Sequence, residues 1–149
     1  MALLAKGIWI VVADGERALF LVNQGTPDKP SLTLHEKMEG EGATMEQVDR
    51  PGRMQDTGRQ QLSAMEMTDH DRIARDRFAE TVAERINALV LKGKIGRLVM
   101  VAPPQTLGGL RAAISDQTQA AMVAEIDKDL TQHPLPKIGQ LVASLIDPL

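Results

Sequence analysis

The residues with the greatest chemical potential are few and lie just past apolar runs. Asp14 ends the run in "WIVVADGERALF", and Asp127-Lys128-Asp129 ends another. Between them, "VMVAPPQTLGGLRAAI" (Val99 to Ile114) passes from an apolar segment through two prolines into a glycine pair. A helix that starts directly after a strand leaves its first N–H groups unpaired and pointing outward, which suits a phosphate or a carboxylate. Here those groups are expected around Leu107 to Gly109, beside Thr106, with Gly108 and Gly109 allowing close backbone approach. Arg111 and Lys128 would supply the charge, and Arg17, just past the Asp14-Gly15 turn, joins the same candidate set. The competing expectation makes the glycine pair a packing contact and pairs Arg111 with a neighbouring acid. The glycine spacings of mononucleotide and dinucleotide sites are absent.

Carboxylates on strand ends can also hold two metal ions for phosphodiester cleavage. Asp14 and either Asp127 or Asp129 would contribute, but the middle run ends in Ala102-Pro103 without an acid. No metal and no cofactor are therefore expected, and metal-dependent nuclease activity is the lesser reading. His35, His70 and His133 lack metal-ligand spacing. With no cysteine and no G-x-S-x-G turn, nucleophilic hydrolysis has no visible carrier.

Formal net charge is −3, so the chain as a whole lacks the basic footprint of a general nucleic-acid binder, although a local basic patch is compatible with it. Trp9, Phe20 and Phe78 are the entire aromatic supply, which disfavours binding of single strands by base stacking. No run of about 18 apolar residues occurs, and "MALLAKGIWIVVADGER" carries no convincing signal-peptide cleavage site. A cytoplasmic protein without membrane insertion is expected.

The elements that must position these residues follow from periodicity. Gly7 to Ala13 suits a strand buried on both faces, and Asp14-Gly15 is a hairpin signal. Arg17 to Gln24 and Ser31 to Lys37 complete an antiparallel meander. Thr68 and Asp71 resemble a capping box for a helix over Asp69 to Lys92, whose Phe78, Val82, Ile86 and Leu89 recur at helical spacing. A strand over Gly96 to Ala102, a helix over Thr106 to Ile114, a strand over Met122 to Ile126 and a helix opened by Pro136 follow. The order βββαβαβα predicts an α/β fold, a ribonuclease H-like mixed five-stranded sheet arranged 3-2-1-4-5 with helices on its faces. Its parallel strands would bring Asp14, the Pro103–Thr106 turn and Asp127–Asp129 to one carboxyl edge.

One domain is expected over residues 1–149, interrupted by a long mobile loop at about 38–67. That loop is polar and aperiodic, holds five of the eight methionines, and carries Arg53 as a possible cover for the site. An adaptable lid or partner surface is one reading, and a solvated loop the plainer one.

The segments "WIVVADGERALF", "GRMQDT", "RFAETVAERINAL", "RLVMVAPPQTLGGLRAAI" and "VAEIDKDLTQHPL", in that order, resemble the bacterial host attachment protein family. The resemblance implies a part in attachment to host cells. It also implies a fold akin to the middle domain of the archaeal and eukaryotic release factor. That domain carries a Gly-Gly-Gln loop for peptidyl-tRNA hydrolysis, whereas Gly108-Gly109 is followed by Leu110, so peptide release is not expected. The chain also has no room for a release factor's codon-reading and factor-binding domains. The leading expectation is a non-enzymatic binding or regulatory module with a protein or anionic partner. A ribosome- or RNA-associated release-factor-like module comes second, and a hydrolase of a small phosphorylated compound third.

Overall fold

The computed structural model describes residues 4–40 and 69–146. Five strands form one sheet: β1 (Trp9–Ala13), β2 (Arg17–Asn23), β3 (Leu32–Glu39), β4 (Leu98–Val101) and β5 (Met122–Ile126). Its order is β3-β2-β1-β4-β5, as expected for the ribonuclease H-like arrangement. β1 runs antiparallel to β2, and β2 to β3, while β1, β4 and β5 are mutually parallel. The helices are α1 (Asp69–Leu91), α2 (Pro104–Ala113), α3 (Asp116–Ala121) and α4 (Leu135–Leu145).

All five residues of β1 are buried, because the central strand is covered on both faces. Side chains alternate across it. Trp9, Val11 and Ala13 point into one core with Phe78, Val82, Ile86 and Leu89 of α1 and Leu107 and Leu110 of α2. Ile10 and Val12 point into the other, with Leu130 of the β5–α4 loop and Ile138 and Val142 of α4. Each such side chain contributes about 1.5–3 kcal/mol when removed from water. The α1 stripe is buried as its spacing predicts, with Phe78 7% exposed and Ile86 fully enclosed. Gly93, at φ 81°, stops that helix in a conformation glycine favours.

Several boundaries differ from expectation, most by one or two residues, and one helix is additional. β3 continues through Met38 and Glu39, which pair with Ala18 and Arg17, so the first residues assigned to the loop belong to the sheet. The remainder of that loop from residue 41, including Arg53, and the Thr68 cap lie outside the described residues. α2 begins at Pro104, two residues early, because proline is well suited to the first helical position. α3 was not expected. Its six residues are too few to show a period, and only the Ser115 side chain, which accepts from the Thr118 N–H at 3.2 Å, marks its start.

Candidate functional site at the carboxyl edge of the sheet

The carboxyl ends of β1 and β4 and the loop after β5 meet at one edge, as the parallel arrangement requires. A cleft of about 450 Å³ opens there, lined by Asp14, Glu16, Arg75, Gln105, Thr106 and Asp129, among others. A smaller hollow of about 260 Å³ adjoins it, sharing Arg75, Gln105 and Thr106 and adding Arg72 and Asp76.

Asp14 organises the floor. Its Oδ1 accepts from the Glu16 N–H at 2.7 Å and the Arg17 N–H at 2.8 Å, which shapes the β1–β2 turn. Its Oδ2 lies 2.9 Å from the Thr131 hydroxyl, and that hydroxyl is also 2.7 Å from Asp129 Oδ1. The hydroxyl stands within hydrogen-bond distance of both carboxylates, with a single proton to donate, and so ties the turn after β1 to the loop after β5. Both acids are thus engaged in loop structure.

The cationic side of the cleft comes from α1. Arg75 is exposed and makes no hydrogen bond or ion pair with a described residue, and its stem runs over Gly15. Opposite it lies the first turn of α2. Leu107 N–H donates to Pro103 O at 2.8 Å, so the open donors sit earlier than expected, at Gln105 and Thr106. Pro104 has no N–H to offer.

The remaining candidates are spread around this edge. Thr106 lines both hollows. Gly108 faces open space, while a Cβ on Gly109 would stand 3.1 Å from Ala79 Cβ, so Gly109 lets α2 approach α1 closely. Arg111 is engaged by Glu125, with Nε 2.9 Å from Oε1 and a second bond from NH2 to the same oxygen. That hydrogen bond and the carboxylate charge hold the Arg111 pKa above its ordinary value. Arg17 lies at the start of β2, where alternation puts it on the face of Leu19 and Leu21, and its Nε is enclosed without a hydrogen-bond partner. Lys128 is exposed in the loop after β5. Neither Arg17, Arg111 nor Lys128 lines the cleft. No group of three or more His, Asp or Glu residues capable of holding a metal occurs among the described residues. No helix among them is long and apolar enough to cross a membrane.

Arg72 and Arg75 were missed in the sequence. With Asp76 and Ala79 they fall at i, i+3, i+4 and i+7, one face of α1, and that spacing was the available signal.

Residues 7–142 match the family model described as bacterial archaeo-eukaryotic release factor family 12. The chain belongs to that family. Among solved structures, the chain is similar to the crystal structure of the archaeal translation termination factor aRF1, at 12% identity and a TM-score of 0.49. The alignment covers 92% of this chain and 34% of that one, so the chain spans about a third of the factor's length. No curated protein matches the sequence. The family match bears out the release-factor relationship expected from the sequence, and it offers no counterpart to attachment to host cells.

Proposed function

We propose that this family 12 chain is a ribosome- or RNA-associated module of release-factor type, and that its carboxyl-edge cleft holds an anionic group. The observation that carries the first part is the family match, which spans nearly the whole chain. It favours the ribosomal reading over the attachment role that sequence resemblance alone ranked first. The second part rests on Arg75, which lacks a partner among the described residues and faces the first turn of α2 across the cleft. Gln105 and Thr106 would offer backbone N–H groups to the same group, while Asp14 Oδ1 and Asp129 Oδ1 accept loop N–H groups. Arg17, Gly108, Gly109, Arg111 and Lys128 stand outside this set.

Co-sedimentation of the purified protein with ribosomes in a native lysate tests the reading. Association that persists at low salt and is lost at high salt supports it, because phosphate contacts release counterions. Absence from the ribosomal pellet at every salt concentration would reject it.

A further inference from the structure

The opposite edge of the sheet carries a group of cations that outnumbers the described acids there, Asp28 and, on α3 before β5, Asp116. β1 and β4 are parallel, so the chain enters both at the same edge, and the β2–β3 turn lies there too. Lys6 precedes β1, Lys29 sits in the β2–β3 turn, and Lys92, Lys94 and Arg97 lie between α1 and β4. All five are exposed, and none of their side chains hydrogen-bonds or ion-pairs with a described residue. Asp28 is the acid in these three segments.

Hydrogen bonds hold the segments side by side. Trp9 N–H donates to Arg97 O at 3.0 Å, Gly7 N–H donates to Asn23 O at 2.7 Å, and Gln24 N–H donates to Ser31 O at 2.8 Å. Neighbouring strands stand about 5 Å apart, so the backbones bearing these cations span roughly 15 Å along the edge. In a chain of net charge −3, such a concentration makes one edge locally positive.

We infer that this amino-terminal edge is a phosphate-backbone contact surface for structured RNA, formed by Lys6, Lys29, Lys92, Lys94 and Arg97. The inference rests on the ribosomal reading above for the identity of the polyanion, while the surface itself is read from the charges and their spacing. Contact is to phosphates and not to bases, because the edge offers cations without an exposed aromatic ring on which a base could stack. Lys92 and Lys94 also follow the C-terminus of α1, where positive charge favours the helix dipole. A purely structural role of that kind would alter thermal stability and leave RNA affinity untouched.

The test compares the full chain with K6A/K92A/K94A/R97A and with the charge-keeping K6R/K92R/K94R. Binding is measured by fluorescence anisotropy on a labelled duplex RNA of arbitrary sequence, together with co-sedimentation on purified ribosomes. Sedimentation with phosphatidylglycerol vesicles is run alongside, and melting curves establish that each variant folds. The expected result is a loss of at least about tenfold in RNA affinity for the alanine variant. Its log K against log salt slope should become shallower by about 3, at 0.7–0.9 per lost phosphate contact. The arginine variant should bind like the unaltered chain. Equal RNA binding by the unaltered and alanine proteins, with ribosome association intact, would overturn this surface while leaving the ribosomal reading in place. Absence of both RNA and ribosome binding in the unaltered chain would overturn both. Loss of vesicle binding alone would assign the edge to a membrane and overturn the RNA surface.

Discussion

Arg75 lies across Gly15, so closely that a Cβ atom added to Gly15 would stand 2.9 Å from Arg75 Cδ and 3.2 Å from Nε. This contact joins the long helix to the turn after the central strand at the mouth of the cleft. The atoms in the way belong to a flexible side chain, so it can swing aside at little cost. Gly15→Ala should therefore leave the melting temperature nearly unchanged while displacing the guanidinium. Calorimetric binding of a phosphorylated probe at the cleft would weaken in Gly15→Ala and Arg75→Ala alike. The Arg75→Ala loss should be about 1.5–3 kcal/mol for a charge-assisted hydrogen bond.

Phe78 anchors α1 on the sheet, 7% exposed, and a Cβ on Gly40 would come within 3.2 Å of its ring. Phe78→Ala should destabilise the fold by about 3–5 kcal/mol, measured by urea denaturation. A loss under 1 kcal/mol on the order-of-magnitude scale for surface changes would mean the helix does not depend on this contact.

Much of this architecture was legible in the sequence because it follows from burial. Trp9–Ala13 and Leu98–Val101 read as strands since a doubly covered strand needs apolar residues on both faces, and Phe78, Val82, Ile86 and Leu89 repeat with the helical period. The sheet order follows from connection lengths and the handedness of crossovers. The site was less legible, because its residues share no period and come from separate elements. Asp14, Gln105 and Thr106 could be placed at the edge from strand ends alone, but Arg75 arrives from a helix remote in sequence. Arg111 was expected in the site, and Glu125, on the adjacent strand, takes it instead. Local pairing of that kind depends on which way two side chains point, which spacing does not encode.

Glu36 and Arg85 tie the outer strand β3 to α1 through a bidentate pair, with Arg85 Nε 2.9 Å from Glu36 Oε2 and NH2 2.8 Å from Oε1. The hydrogen bonds from Arg85 lower the Glu36 pKa against a smaller opposing effect of burial. A depressed carboxylate contributes stability that is fully present above its unfolded value and lost as pH falls through the folded one. Glu36→Gln should thus be less stable than the unaltered chain near neutrality. The gap should close below the ordinary carboxylate value of 4.5, as followed by thermal melts across acid pH. Solvent screening keeps the effect small, since both side chains are partly exposed.

Asn23 is fully buried at the end of β2 and serves three backbone groups. Its Nδ2 donates to Leu4 O at 2.8 Å, and its Oδ1 accepts from the Gly25 and Ser31 N–H groups, both at 2.9 Å. Asn23→Ala leaves those groups without this partner and should cost at least about 1–3 kcal/mol. Asn23→Asp, which cannot donate to Leu4 O when ionised, should be destabilised as well. Chemical denaturation of the two variants beside the unaltered chain checks both.

The most direct test of the ribosomal role is a titration of the full chain with ribosomes purified from the native cell, repeated between 50 and 200 mM salt on the order-of-magnitude range over which phosphate contacts weaken. The account predicts saturable binding whose affinity falls linearly in log K against log salt. Failure to bind at the lowest salt, or an affinity indifferent to salt, would contradict it.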